Sequence, residues 1–307
     1  MKCPIWNLFN SSKDLYTGAM SFTLLDGRKA SQALLSELKP KVKELNPYLV
    51  ILQVGEDPAS TSYITQKVKS CEAVGMRSQH RHLPADTDLQ TLMAHIDELN
   101  ADEDVSGFIV QLPLPEHLQP YVPQIIRQID PKKDVDGFCA YNLGKMFLST
   151  EFEDLPPATP SGVIALLAFY NIPVEGKNAV VVGHSNTVGK PLSTMLLNRN
   201  ATVTTCHIHT KDLALHTREA DILAVAVGKP GLITADMVKE GAVVIDIGIT
   251  RTDDGLKGDV DFDAVQGKVS AITPVPGGVG PMTVASLIRN CVRAKERQVA
   301  QHESANS

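Results

Sequence analysis

The sequence contains a single tryptophan and only 5% aromatic residues, and it has no run of about 20 uninterrupted apolar residues such as a bilayer-crossing helix needs. A membrane-spanning chain is excluded on that reading. Basic residues are not in excess either: 35 Asp and Glu against 29 Lys and Arg leave a formal charge of −6. A polyanion-binding surface needs clustered Lys and Arg, so nucleic acid is not an expected partner. The five cysteines, Cys3, Cys71, Cys139, Cys206 and Cys291, are scattered, with no CxxC pair and no even spacing. That usage suits a reducing compartment and free thiols held mostly in the core; the cytoplasm is the expected location. Residues 1–20 have no continuous apolar stretch of the secretory kind. They read as an extension, either a weak organelle presequence or a segment upstream of a start at Met20.

What is present is ordinary globular material. The 307 residues are about twice the usual size of one domain, so two domains are expected. A composition of 43% hydrophobic and 21% charged residues supports a large core. From Gly27 the pattern alternates between helical and extended periodicity: a helix over 28–45, a compact β-rich run at 48–54 (YLVILQV), helices over 59–74 and 88–99, a buried strand at 107–112 (GFIVQL), and helical spacing near 119–129. Such alternation predicts a mainly parallel sheet covered by helices.

The acidic, proline-rich stretch 149–160 (STEFEDLPPATP) reads as a border. Beyond it, 161–172 is helical, 178–200 reads as a strand, a glycine turn and a helix, and further strands are expected at 202–206, 221–227 and 242–249. Four short apolar runs with helical connections describe a small doubly wound domain. Residues 253–263 form a polar hairpin or loop, and 282–300 has helical periodicity.

The first chemical feature is VVVGHSNTVGK (180–190), where a β-rich run meets Gly183 and a helix begins near Thr187 or Val188. Glycine lets backbone approach a phosphate, and a helix N-terminus directs N–H groups at the anion. The spacing, Gly183, Ser185 and Gly189, departs from Gly-x-Gly-x-x-Gly, and a plain strand-to-helix turn is the competing reading. Two further strand ends carry glycine, VAVGKPG (225–231) and IDIGI (245–249), which implies one crevice at the carboxyl edge of the sheet. The segment CHIHT (206–210) offers no carboxylate for a ribose 2′-hydroxyl, whereas His207 and His209 can approach a 2′-phosphate.

The second feature is Tyr63 and Lys67, four apart and therefore on one helix face. A phenol beside an amine can hold an aromatic substrate and move protons, provided that burial or a neighbouring cation lowers the lysine pKa. An exposed pair with a snorkelling lysine is the alternative. Gln111 closes a buried strand just before Pro113 and Pro115. In DPKKDVDGF (130–138), Asp134 and Asp136 alternate on an extended segment, so only one can face a pocket. Two neighbouring lysines and the lack of further ligands argue against a metal there, and no metal is expected. PVPGGVGP (274–281) joins rigid prolines to permissive glycines before a helix, as a wall for a flat ligand or as a hinge.

Taken together, YITQK, VQLPLP, KDVDGF, TPSG, VVVGHSNTVGKP, AVGKPG, VIDIGI, GDVDF and TPVPGGVGPMT, in that order over about residues 24–292, closely resemble the bifunctional methylenetetrahydrofolate dehydrogenase/cyclohydrolase family. The resemblance implies an α/β fold of two α/β domains, the second Rossmann-like and doubly wound, with an interdomain cleft. It also implies the division: an extension at 1–20, a folate-binding catalytic domain at 21–156 completed by the carboxyl-terminal helix 282–307, and an NAD(P)-binding domain at 157–281. The implied activity is oxidation of 5,10-methylenetetrahydrofolate and hydrolysis of the methenyl product to 10-formyltetrahydrofolate, in a homodimer. Lys67 would be the base or proton relay, Tyr63 would stack on the folate, Gln111 would assist Lys67, and Asp136 would hold the pterin. Val110, Leu112, Pro276, Gly277, Gly278, Val279, Pro281 and Thr283 would line the substrate site. Gly183, His184, Ser185, Thr187, Val188, His207, Ile208, Gly228 and Ile249 would surround the dinucleotide. Many relatives carry Arg and Ser where this chain has His184 and Ile208. Arg holds phosphate bidentately and keeps its charge, whereas neutral imidazole offers one donor. NADP is the expected cofactor, with NAD the alternative.

Overall fold

The computed structural model describes residues 22–305; the extension at 1–20, and Cys3 with it, lies outside that range. The described chain begins with β1 (Thr23–Leu24), α1 (Gly27–Leu45), β2 (Tyr48–Val54), α2 (Pro58–Val74), β3 (Arg77–Leu83), α3 (Leu89–Ala101) and β4 (Gly107–Val110). It continues through α4 (Val122–Gln128), α5 (Ala140–Leu148), α6 (Ala158–Phe169), β5 (Asn178–Val182), α7 (Gly189–Leu197), β6 (Thr202–Cys206), α8 (Leu213–Thr217) and β7 (Ile222–Val225). It ends with β8 (Val243–Asp246), β9 (Thr250–Thr252), β10 (Gly255–Lys257), α9 (Phe262–Val265), β11 (Ala271–Ile272) and α10 (Val279–Ala305). This is the mixed α/β architecture that the alternating pattern predicts. The chain divides into two compact units interleaved in sequence. One holds the residues up to Ser31, Met146–Phe152 and Thr159–Thr283; the other holds Gln32–Lys145, Glu153–Ala158 and the chain from Val284 onward.

The first unit contains a six-stranded sheet in the order β1-β11-β8-β7-β5-β6, every pairing parallel. From β5 the chain moves outward to β6 and then crosses back to β7 on the other side, so the order reverses around β5, the kind of switch point at which such sheets bind ligands beyond the carboxyl ends of their strands. Val180, Val182, Leu223, Val225, Val244 and Ile272 belong to a fully covered core beneath this sheet. The sequence pattern misses β1 and β11, which are two residues each and too short to carry a period. The stretch expected as a polar hairpin or loop, 253–263, holds the turn and second strand of a hairpin whose first strand, β9, precedes it, and then the first turn of α9.

The second unit has a three-stranded parallel sheet, β3-β2-β4. β2 is the central strand, and its near-continuous apolar run reflects burial on both faces. β3 (RSQHRHL) is absent from the sequence expectation because it is a polar, mostly exposed edge strand held by seven residue pairs to β2. α2, which carries Tyr63 and Lys67, is fixed at both ends. The Asp57 carboxylate accepts from Ser60 N at 2.7 Å, Pro58 occupies the first turn, and Gly75 ends the helix in the left-handed region at φ 78°. The core under this sheet includes Val50, Leu52, Phe108, Val110, Leu92 and Ile96.

Candidate active site

In the three-stranded unit the Lys67 side chain is buried, with 9% of its surface exposed, and its Nζ donates to Gln111 Oε1 at 2.9 Å. Gln111 lies one residue beyond the end of β4. Its own Nε2 donates to Leu112 O at 2.7 Å, which turns the amide oxygen toward the amine. Burial pulls the Lys67 pKa below its ordinary value, while the charges of Asp136 and Cys71 act in the opposite direction. Asp136 is half-buried, and its carboxyl is pushed up to about 6, chiefly by desolvation, with Lys67 opposing the rise and Asp134 adding to it. Tyr63 is half-buried one turn before Lys67, and burial raises its phenol pKa. The exposed-pair reading of Tyr63 and Lys67 is therefore overturned: the amine is enclosed and bonded. A buried amine with a lowered pKa gives up its proton more readily than an exposed lysine does.

The segment carrying Asp136 corrects another expectation. It is a series of turns joined to β4 by a single bridge between Phe108 and Asp134, and the two carboxylates divide their work. Asp134, 1% exposed, accepts from Gly137 N at 2.9 Å, Cys139 N at 2.8 Å and Asn142 Nδ2 at 3.1 Å. Those bonds shape the loop and leave Asp136 to interact with Lys67. Gly137, at φ 76°, sits where a Cβ would be 2.5 Å from the Pro156 carbonyl carbon. Val110 lies in the core cluster, and Leu112 packs against it.

The six-stranded unit carries the second constellation. Gly183 follows β5 at φ 119°, and a Cβ there would lie 2.3 Å from Ala226 O; a Cβ on Gly189 would lie 2.0 Å from Gly183 O. The turn thus packs backbone on backbone and admits only glycine at these two positions. Ser185 Oγ accepts from Val188 N at 3.1 Å and Gly189 N at 3.3 Å, so the hydroxyl caps α7, whose first residue is Gly189 and not Thr187 or Val188. His184 and Ser185 are exposed, and Thr187 and Val188 are half-buried. Beside them His207 and His209 follow β6. The His184 and His207 rings are 4.8 Å apart, those of His207 and His209 are 5.9 Å apart, and His209 N donates to His207 Nδ1 at 3.2 Å. Ile208 is 89% exposed, so it contributes nothing to the core.

Gly228, at φ 67°, and Ile249 stand beyond the ends of β7 and β8. Ile249 lines a small hollow with Asp246, Ile247 and the loop Pro274–Gly280. In that loop Gly278 has no room for a side chain, a Cβ falling 2.6 Å from Pro274 O; Pro276 is exposed, Gly277 half-buried and Val279 buried. Pro281 is half-buried, and Thr283 Oγ1 donates to Thr159 Oγ1 at 3.1 Å. A second hollow, at the amino ends of β5, β7 and β8, is bordered by the Lys239–Asp221 ion pair at 2.6 Å and holds none of these residues. Among the described residues, no group of three or more His, Cys, Asp or Glu side chains is arranged to hold a metal ion. Sequence reasoning assigned no role to Asp134, Asp246 or Asp259, although the last two sit in the quoted motifs VIDIGI and GDVDF.

A parallel sheet with glycine-lined carboxyl ends, in a chain that also encloses a lysine amine bonded to an amide, describes a dinucleotide-dependent enzyme of the α/β class. Two family models match, the tetrahydrofolate dehydrogenase/cyclohydrolase catalytic domain over residues 25–136 and the NAD(P)-binding domain of the same name over 157–299. The chain is 50% identical over 282 residues to the bifunctional protein FolD of Methanosarcina mazei, spanning 90% of this chain and 97% of that protein. It is similar to the crystal structure of the bifunctional enzyme FolD from Campylobacter jejuni, with a TM-score of 0.85, 46% identity, and 90% and 99% of the two chains covered. It also resembles the Trypanosoma brucei enzyme complexed with NADP cofactor and inhibitor, with a TM-score of 0.86, 35% identity, and 91% and 98% covered. The protein belongs to the tetrahydrofolate dehydrogenase/cyclohydrolase family.

Proposed function

We propose that this protein is a bifunctional one-carbon folate enzyme. It oxidises 5,10-methylenetetrahydrofolate to the 5,10-methenyl cation with NADP+, then hydrolyses that cation to 10-formyltetrahydrofolate. The observation that carries the reading is the enclosed Lys67 amine on Gln111 Oε1 at 2.9 Å, with Asp136 charged beside it, in a chain of this family. Burying an amine is costly, and a non-catalytic module would gain nothing from that expense.

The side-chain-free Gly183 and the exposed turn after it fit a dinucleotide pyrophosphate, which backbone can approach closely there. NADP+, when bound, supplies the hydride acceptor. Gly183, His184, Ser185, Thr187, Val188, Gly228 and Ile249 are the residues proposed to seat it. His184 and His207 are on hand for the 2′-phosphate, a weaker hold than a guanidinium provides.

For hydrolysis, the neutral Lys67 amine takes a proton from the water that adds to the methenyl carbon. It returns that proton to the folate nitrogen as the carbon–nitrogen bond breaks, and the hydroxyl proton of the tetrahedral species leaves to solvent. Gln111 holds the amine in place, Asp136 binds the pterin and modulates Lys67, and Tyr63 lies against the aromatic ring.

Absorbance assays with methylenetetrahydrofolate and NADP+ or NAD+ test the reading and its cofactor preference together. Lys67→Met is expected to lower methenyl hydrolysis by about 100-fold or more, the scale of general acid–base catalysis, and to leave dinucleotide affinity unchanged. Undiminished hydrolysis would take Lys67 out of the mechanism.

We propose the cytoplasm as its location, which the four cysteines among the described residues, all buried and unpaired, support; among the same residues no helix is long and apolar enough to cross a membrane. A homodimer is also proposed, and β3 supports it as an edge strand that, among the described residues, pairs with β2 alone and that a second copy could extend. Sedimentation velocity is expected to give about twice the chain mass, and a monomer at micromolar concentration would reject it.

A further inference from the structure

Two buried carboxylates in the six-stranded unit are left unused by this mechanism. Asp259, fully buried, spends one oxygen on the end of β7: Oδ2 accepts from Val227 N at 2.6 Å and Gly228 N at 3.0 Å, while Oδ1 is buried without a partner. Asp246, 4% exposed, closes β8. Its Oδ1 accepts from Gly248 N at 3.1 Å and Asp259 N at 3.0 Å, its Oδ2 from Val260 N at 2.9 Å, and its own N–H donates to Thr273 Oγ1 at 2.7 Å, just past β11.

Two glycines make room for them. A Cβ on Gly248 would lie 2.1 Å from Asp259 Cγ, and one on Gly258 would lie 1.9 Å from Asp246 Oδ2. The chain thus gives up side chains at 248 and 258 so that two carboxylates can be enclosed, although each burial is expensive. The expense registers on Asp246, whose carboxyl is pushed up to about 7, chiefly by burial, with Asp259's charge contributing and its backbone donors opposing the rise.

We infer that Asp246 and Asp259 are positioning residues that lock the loops after β7 and β8 into one wall of the dinucleotide site, Asp259 by holding the Val227–Gly228 backbone and Asp246 by holding Gly248 and the return segment 258–260. The inference rests on the reading that these strand ends seat NADP+. It concerns dehydrogenation alone, because methenyl hydrolysis consumes water and no dinucleotide.

The bifunctional protein tests this with its own internal control. In Asp259→Ala the KM for NADP+ is expected to rise about tenfold, the scale of losing charge-assisted hydrogen bonds, with kcat within about threefold. Methenyl hydrolysis measured without dinucleotide should stay within about twofold of the parent. Asp259→Asn, which keeps one acceptor oxygen, should show the same split at about threefold in KM, and it decides the matter where the Ala variant loses both activities. An unchanged KM in both variants overturns the inference, as does a parallel fall of both activities in the Asn variant. Ile249→Trp distinguishes a failed clamp from a dinucleotide seated elsewhere. If it raises the NADP+ KM while Asp259→Ala does not, only the clamp is wrong; if it leaves the KM unchanged, the strand-end reading fails and the clamp fails with it.

Discussion

Lys67 is set between two opposing influences, and the balance has a direction that can be measured. Burial lowers its pKa, and the Asp136 charge raises it. Asp136, itself at about 6, is ionised at neutral pH and loses its charge as the medium is acidified through that value. Replacing it by Asn removes the pull at every pH, so the Lys67 amine should deprotonate at lower pH. The acid limb of the hydrolysis kcat profile at saturating substrate is then expected to move to lower pH in Asp136→Asn, with weakened folate binding appearing separately in KM. A limb that stays in place, or moves toward alkaline pH, would mean that Asp136 does not act on Lys67. Much of this geometry is legible in the sequence: a four-residue spacing puts phenol and amine on one face, and an amide beside a strand end must turn toward something. Asp134 was not legible in the same way. Its task is to accept three donors inside a turn, two of them backbone N–H groups, and such donors leave no mark on residue type.

The turn after β5 shows how far a single element can be read from its residues. An apolar run, a glycine and a helical period locate the strand, the turn and α7, but the reason for Gly183 is found elsewhere in the chain. Its φ of 119° and the 2.3 Å approach to Ala226 O put the constraint on the neighbouring β7 end. Gly183→Ala is therefore expected to cost about 2–4 kcal/mol, from a forbidden backbone region and a clash with main chain that cannot move aside. Urea unfolding should register it as a lower midpoint with an unchanged slope. A loss below about 0.5 kcal/mol, the range of an ordinary surface substitution, would show that the turn relaxes freely. The strands that the sequence pattern misses have a common cause. β1 and β11 pair over two residues each, and β3 is an edge strand with Arg77, Gln79 and His80 exposed. A strand is visible in sequence through the side chains it buries, and these three are held mainly by backbone pairing.

At the scale of the whole molecule, the proline-rich stretch 149–160 reads as one border, yet the chain changes unit at 145/146, 152/153 and 158/159, and again at 31/32 and 283/284. Composition marks a border where the chain is polar and proline-rich, but it cannot reveal that a distant helix returns. That return is structural within the three-stranded unit. Asn290 Nδ2 donates to Val135 O at 2.9 Å and Pro156 O at 2.8 Å, and Gln298 Nε2 donates to Val105 O at 3.0 Å. Leu287, Ile288, Cys291, Val292 and Ala294 are all buried on the same helix. Each larger apolar side chain contributes about 1.5–3 kcal/mol when covered, so losing this helix removes an amount comparable to the whole stability of a domain, about 5–15 kcal/mol. A fragment of residues 22–156 is accordingly expected to show no cooperative thermal transition by far-ultraviolet circular dichroism, and a peptide of residues 284–305 added in excess should restore one. A fragment that melts cooperatively by itself at the temperature of the intact chain would mean that α10 only decorates a unit complete without it.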